Sequence, residues 1–193
     1  MSAELEFLEH KKNALAKLNK AKSEDLVDKD IIPVIDLINK LDDYYTSSSC
    51  YGRVVLLEIP VIGDKKNAVF LGKWHRKVES QEILKAAEKA SKGLLWILAQ
   101  SPIIHLGAKT SSAADKMLKT AIASGFKLSG LKSFEKSIIV EVASTERLDA
   151  PVGKDGKLFC DEEQLNLLVE IANDIIDKST SKLSKFENSL RTF

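Results

Sequence analysis

Pairs of strand-like segments that alternate with helical ones predict an α/β (α+β) protein with a mixed, largely antiparallel sheet. Three observations carry this expectation. Five segments repeat apolar residues at helical spacing, and the aliphatic runs between them come in pairs separated by turn residues. The glycines match neither a dinucleotide-binding nor a phosphate-cradling pattern, so a doubly wound Rossmann sheet is not expected. No linker rich in Pro, Gly or Ser interrupts the 193 residues, which therefore read as a single domain, 1–193.

Residues 3–22 read as a first helix, with Leu5, Leu8, Leu15 and Leu18 on one stripe and lysines opposite. Asp30 and Pro33 open a second, from Ile31 to Asp42, because Asp caps and Pro suits a first turn. Arg53–Pro60 and Ala68–Lys73 read as a β-hairpin around Gly63-Asp64. Ser80 opens a third helix, Gln81–Lys92, and Gly93 suits the left-handed residue beyond it. Leu94–Ala99 and Ile103–Ala108 are apolar strands split by Pro102. Ser111 or Ser112 caps a fourth helix that stops at Gly125, and strands follow at Lys127–Ser133 and Ser137–Ser144. Lys154-Asp-Gly-Lys157 is a turn, and Asp161 caps a last helix to about Phe186.

Composition narrows the function classes. At 44% hydrophobic and 30% charged, the chain is globular rather than disordered. No apolar run approaches the ~20 residues of a membrane span. The acidic start, Met1-Ser-Ala-Glu-Leu-Glu, is unlike a secretory signal, so an intracellular, cytoplasmic protein is expected. Cys50 and Cys160 are too few for a disulfide scaffold, and no Cys/His spacing resembles a zinc site, so no metal is expected. The net charge of +1 hides a basic segment: residues 109–136 hold Lys109, Lys116, Lys119, Lys127, Lys132 and Lys136 against Asp115 and Glu135. Such a patch suits a polyanion, although by spacing alone a solvated helix face is the more ordinary reading.

The densest chemistry is Thr46-Ser-Ser-Ser-Cys-Tyr-Gly-Arg53, between the second helix and the first apolar strand. Its plainest reading is a Ser-rich loop with a turn glycine. Its functional reading is a rigid seam that presents hydroxyls, a thiol and a guanidinium. Cys50 beside Arg53 invites a thiol nucleophile with His75 or His105 as base, though most lone cysteines are buried hydrophobes. His105 sits in Ile103-Ile-His-Leu106, where strand alternation would turn it away from its apolar neighbours. Asp28, Asp30, Asp42 and Asp43 flank the second helix and are ordinarily caps. Trp74 and Trp96 suit base stacking, but both lie in apolar stretches where packing is the default.

The 46–53 stretch resembles the signature of the tRNA wybutosine-synthesis methyltransferases, the third enzyme family of that pathway: Ser or Thr, any residue, Ser-Ser-Cys, any residue, Gly-Arg. Collinear stretches agree, among them Val27-Asp-Lys-Asp30, Leu37-Ile-Asn39, Gly72-Lys-Trp74, Pro102-Ile-Ile-His105 and Ser144-Thr-Glu-Arg147. The resemblance covers about Asp28 to Phe186, with Tyr51 and Leu128 as modest departures. It implies methyl transfer from S-adenosylmethionine to a ring nitrogen of the tricyclic base next to the anticodon of tRNA-Phe, on a non-Rossmann fold.

The resemblance further implies roles. Asp28 or His105 takes or orients the acceptor's proton, and the two are not ordered. Ser48 and Ser49 join them at the reacting centre, while Thr46, Cys50, Gly52 and Arg53 are expected around the cofactor. Arg53 suits a carboxylate in a bidentate fork, either the cofactor's or the acceptor's. Lysines of residues 109–136 and of the first helix are candidates for tRNA backbone contacts. Two other classes stay open: an RNA-binding module without catalysis, and a cysteine hydrolase built on Cys50 and His105. Oligomeric state is left open.

Overall fold

The computed structural model describes residues 3–134 and 137–193. In chain order its elements are helix α1 (Ala3–Ser23), a 3-10 turn (Lys29–Ile31), helix α2 (Ile32–Lys40), strands β1 (Tyr44–Cys50), β2 (Arg53–Ile59) and β3 (Val69–Trp74), and helix α3 (Ser80–Ala87). Strands β4 (Leu94–Gln100) and β5 (Ile103–Ala108), helix α4 (Ser111–Ala123), strands β6 (Gly130–Ser133), β7 (Ile138–Ala143), β8 (Arg147–Lys154) and β9 (Lys157–Leu158), and helix α5 (Glu162–Arg191) follow. Every strand pairing among the described residues is antiparallel. The α+β class is the expected one, but the strands divide between two sheets. No described helix is long and apolar enough to cross a membrane.

The backbone forms two compact units: Met1–Tyr51 with Pro102–Thr145 and Thr180–Phe193, and Gly52–Ser101 with Glu146–Ser179. The first holds the sheet β1-β5-β7-β6. One face of it is apolar: Ile104 and Leu106 of β5 and Val140 and Val142 of β7 are fully buried with Val34, Ile35 and Ile38 of α2, Met117 of α4 and Phe186 of α5. Burial of such a side chain is worth about 1.5–3 kcal/mol. Because successive strand residues point to opposite faces, His105, Gly107 and Glu141 belong to the other face. There α1 lays Phe7 on Tyr45, with ring centroids 5.5 Å apart. Gly107 makes room for that contact, since a Cβ on it would stand 2.2 Å from the Tyr45 ring.

Helix α1 departs from its expected packing. Leu5 and Leu8, placed on a buried stripe by spacing, are 57% and 50% exposed, and Phe7 is the buried residue. Leu18 adds an apolar contact with the core, and polar tethers do the remaining holding. Lys11 donates to the carbonyls of Leu41 and Asp42, Lys22 pairs with Asp36, and Lys109 reaches Glu4 at 2.7 Å.

The second unit carries the sheet β3-β2-β4-β8-β9. Val54 and Leu56, Leu95 and Ile97, Ile83 of α3, and Leu165, Val169 and Ala172 of α5 make its core. Asn173 clamps the approach to α3, accepting from Val78 N–H and donating to Val78 C=O, both at 2.9 Å.

Other boundaries also moved. Helix α3 ends at Ala87 rather than Lys92. The amides of Ser91 and Lys92 donate to buried Glu58, and that of Gly93 to Asp155, so side chains from outside the helix replace its own carbonyls. Thr110, not Ser111 or Ser112, caps α4, accepting from the Ala113 amide at 3.1 Å. Strand β8 was hidden by Pro151 and Gly153. A register shift opposite Leu95 and Trp96 leaves Val152 as the extra residue and lets the proline into the ladder. Asp161 accepts from the Gln164 amide at 2.8 Å, as expected of the cap of α5.

Replacing Gly107 by Ala is expected to cost about 1–3 kcal/mol through the clash with Tyr45. Adding Tyr45→Leu to Gly107→Ala should recover part of that loss. Denaturation midpoints of the single and double variants check the coupling.

Candidate active site

The serine-rich stretch read above as a loop is a strand. Serine is a poor strand former, so β1 depends on its surroundings. Tyr44 and Tyr45 anchor its start, buried to 3% and 5% exposure, with the Tyr44 hydroxyl donating to Ala113 C=O at 2.8 Å. Burial, then the charge of Asp43, pushes the Tyr44 phenol up to about 12. Partner β5 supplies the ladder. Thr46 sits opposite Leu106 and Ser48 opposite His105, so Ser47 is an extra residue that bulges the strand. The bulge turns Ser48 toward the imidazole.

A continuous chain of hydrogen bonds results. Ser48 Oγ lies 2.8 Å from His105 Nδ1. His105 Nε2 lies 2.7 Å from Glu141 Oε2, on the neighbouring strand β7. Lys132 Nζ on β6 lies 2.8 Å from Glu141 Oε1. Burial alone would raise the Glu141 carboxyl, but the bonds from Lys132 and His105 together outweigh it and hold the group below its ordinary range. The hydroxyl end of the chain is exposed, and the carboxylate end is 15% exposed.

Side chains from before β1 fix its backbone. Asn39, near the end of α2, accepts from the Thr46 amide and donates to its hydroxyl, both at 2.8 Å. Asp28 accepts from the Tyr51 amide at 2.8 Å. Between β1 and α1 lies an open groove of about 620 Å³, lined by Thr46 to Ser49 on one side and His10, Asn13 and Lys17 on the other. None of its lining residues is acidic.

In the second unit, Gly52 holds φ 101°, a left-handed conformation suited to glycine. Arg53 opens β2 opposite Gln100 of β4 and donates through Nε to its Oε1 at 2.9 Å. Its guanidinium lies 5.6 Å from the centre of the Phe70 ring. This stacking and the Nε bond orient the group, and its two terminal nitrogens make no hydrogen bond with another described residue. A fork held this way suits a carboxylate or phosphate.

Of the eight residues singled out from sequence, the first unit brings Ser48 and His105 into direct contact. Ser49 faces Ile104 and Cys50 faces Ile103 in the ladder, so His105 is turned to the hydroxyl of Ser48. Thr46 is buried and held by Asn39, while Asp28 anchors a backbone amide. Sequence reasoning missed Glu141 and Gln100, and it named Lys132 only among the candidates for tRNA backbone contacts, not as a partner of Glu141. A signal existed for the first: Glu141 is an acid inside the apolar run Ile138–Ala143. The basic segment is largely engaged internally. Lys109 pairs with Glu4, Lys119 with Asp115 and Lys132 with Glu141, Lys116 stacks on Phe193, and Lys136 and Glu135 lie outside the described residues. Trp74 packs over Gly72, where a Cβ would strike its ring.

The chain as a whole matches a methyltransferase family. The chain belongs to the family described as Methyltransferase TYW3, whose model matches residues 9–192. It is 45% identical over 185 residues to a protein of Thermococcus kodakarensis named tRNA(Phe) 7-((3-amino-3-carboxypropyl)-4-demethylwyosine(37)-N(4))-methyltransferase 1, covering 95% of this chain and 93% of that one. A Pyrococcus horikoshii protein of the same name is 46% identical, with 95% and 94% covered. A solved Pyrococcus horikoshii structure superposes with TM-score 0.93 at 46% identity over 98% of both chains. A hypothetical protein from Aeropyrum pernix superposes with TM-score 0.75 at 25% identity, over 86% of this chain and 98% of that one. A family of methyltransferases requires a methyl donor.

The lowered Glu141 carboxyl gives stability a sign with pH. A carboxylate depressed in the folded state contributes fully above its unfolded value of about 4.3 and loses that contribution as pH falls through the lower folded value. Glu141→Gln should therefore flatten the acid limb of a stability–pH curve below about pH 4.3. Chemical denaturation between acid and neutral pH checks it.

Proposed function

We propose that this chain transfers a methyl group from S-adenosylmethionine to N4 of 7-((3-amino-3-carboxypropyl)-4-demethylwyosine at position 37 of tRNA(Phe), the reaction in its relatives' names. The near-complete family match carries this reading. A cytoplasmic enzyme follows, since that is where its tRNA substrate would be met.

The residues present fit such ligands. A groove of about 620 Å³ lies within the usual ~300–1,000 Å³ of small-molecule sites, and its exposed hydroxyls suit a nucleoside. The Arg53 fork suits a carboxylate, which both the methyl donor and the acceptor's side chain carry. When bound, S-adenosylmethionine supplies a methyl on a sulfonium, which passes to the nitrogen lone pair as the sulfur recovers a neutral thioether.

The protein's own work is to orient the acceptor and remove its proton. Ser48, exposed on the groove and 2.8 Å from His105 Nδ1, is the group assigned to the acceptor nitrogen. Its oxygen takes the N–H proton while its own proton moves to His105 Nδ1. The 2.8 Å contact between them favours His105 over Asp28 as the proton's destination, because Asp28 is engaged with the Tyr51 amide. Thr46, held by Asn39, keeps the strand in register beneath these groups. Cys50 needs no covalent role, and no step requires a metal.

Calorimetric titration with S-adenosylmethionine, with and without tRNA, tests the binding half. Saturable binding weakened by Arg53→Ala supports the reading. No binding by folded wild type under either condition sinks it, and tRNA affinity alone would favour a non-catalytic RNA module. In methylation of precursor-bearing tRNA(Phe), Ser48→Ala and His105→Ala should each lower the single-turnover rate about 100-fold or more.

A further inference from the structure

The hydrogen bonds that arrange His105 do not stop at the imidazole. Glu141 uses its two oxygens separately, Oε2 toward His105 Nε2 and Oε1 toward Lys132 Nζ. An ionised carboxylate only accepts, so the proton between Glu141 and His105 sits on Nε2. The lone pair of Nδ1 is then turned to Ser48, whose hydroxyl must donate to it. That leaves the Ser48 oxygen free to accept from an incoming N–H. Four residues on four strands, β1, β5, β7 and β6, thus point one proton path in one direction.

We propose that Glu141 and Lys132 are positioning residues for this path: Glu141 fixes the tautomer of His105 and stabilises the imidazolium it becomes, and Lys132 moderates that stabilisation. The proposal rests on the methyltransferase reading above. Its proton balance is closed. The acceptor's N–H bond breaks as Ser48 takes that proton, Ser48 releases its own to Nδ1, and the new positive charge faces the Glu141 carboxylate. The charge that would otherwise build on a neutral ring is thereby paired as it forms.

An ordinary surface ion pair would make a different prediction, because such pairs contribute little to stability and nothing directional to chemistry. Here the two charges act on His105 with opposite sign. Removing the acid disfavours the imidazolium, and removing the lysine leaves the acid uncompensated and favours it. The other groups near this face are the hydroxyls of Ser47 and Ser48, and His10 and Lys17, which α1 contributes to the groove beside Ser48.

The test combines nitrogen NMR of the His105 ring in the full chain with single-turnover pH–rate profiles of wild type, Glu141→Gln, Glu141→Asp and Lys132→Met. Wild type should show the Nε2–H tautomer. Glu141→Gln should slow methyl transfer about 100-fold with S-adenosylmethionine affinity unchanged, and Glu141→Asp should restore part of the rate. The ionisation seen in the rate profile should move down in Glu141→Gln and upward in Lys132→Met. Lys132 is half-exposed at the end of a short strand, so Lys132→Met keeps the test open if Glu141→Gln folds poorly. An Nδ1–H tautomer in an active wild type overturns this proposal alone, as do shifts of the same sign in both variants. A folded wild type that keeps the Nε2–H tautomer but methylates nothing sinks the methyltransferase reading, and the positioning role with it.

Discussion

The pairing of β1 with β5 is the constraint on which the site depends. Strand register in a sheet decides every side chain's face at once, and a slip of one residue would reverse them all. Two tyrosines pin the start of β1, and the bulge at Ser47 then resets its phase. Without that extra residue the strand would continue the alternation set by Tyr44 and Tyr45, and Ser48 would fall on the apolar side. The bulge therefore reconciles two demands: buried tyrosines at one end, and a hydroxyl facing His105 at the other.

The edge position of β1 adds a second demand. An edge strand exposes unpaired backbone groups, which proteins commonly cover to prevent unwanted pairing. Here side chains from the preceding segment do the covering: Asn39 takes the Thr46 amide and Asp28 the Tyr51 amide. Both anchors flank the serines without touching them. The strand is held at its ends while Ser47 and Ser48 stay accessible, a way to combine a rigid backbone with exposed functional groups.

Much of the fold was legible because its signals are local. The aliphatic runs at 54–59, 94–99 and 103–108 formed strands, and Asp161 and Gly125 marked helix limits. What escaped was decided by distant partners. Serines 47 to 49 join a sheet because β5 lies alongside, and Pro151 enters one through a bulge. Helix α3 stops early because Glu58 and Asp155 reach its following amides. The leucine stripe of α1 held at Leu18, which packs against the core, but misled at Leu5 and Leu8, because spacing reports which residues share a face, not whether anything covers that face. At the site, strand alternation alone set His105 apart from Ile104 and Leu106. Its pairing with Glu141 required knowing that β7 lies beside β5, 36 residues along the chain.

The charge distribution around β1 is compatible with the anionic partner that the proposed function requires. Three of the six lysines of the basic segment are matched by acids, so the segment offers less free positive charge than its composition suggests. The groove beside the serines presents His10, Lys17 and hydroxyls with no acid among its lining residues. Glu141, the nearby carboxylate, is compensated by Lys132 before it can repel an approaching phosphate. On the proposed reading the same ion pair serves two ends: the lysine masks the carboxylate from an anionic substrate, while the carboxylate still faces the imidazole. On the proposed reading the site accepts an anion and stabilises a transient cation, which calls for a negative charge that is largely shielded and directional, and the ladder of β6, β7 and β5 places Glu141 in that way.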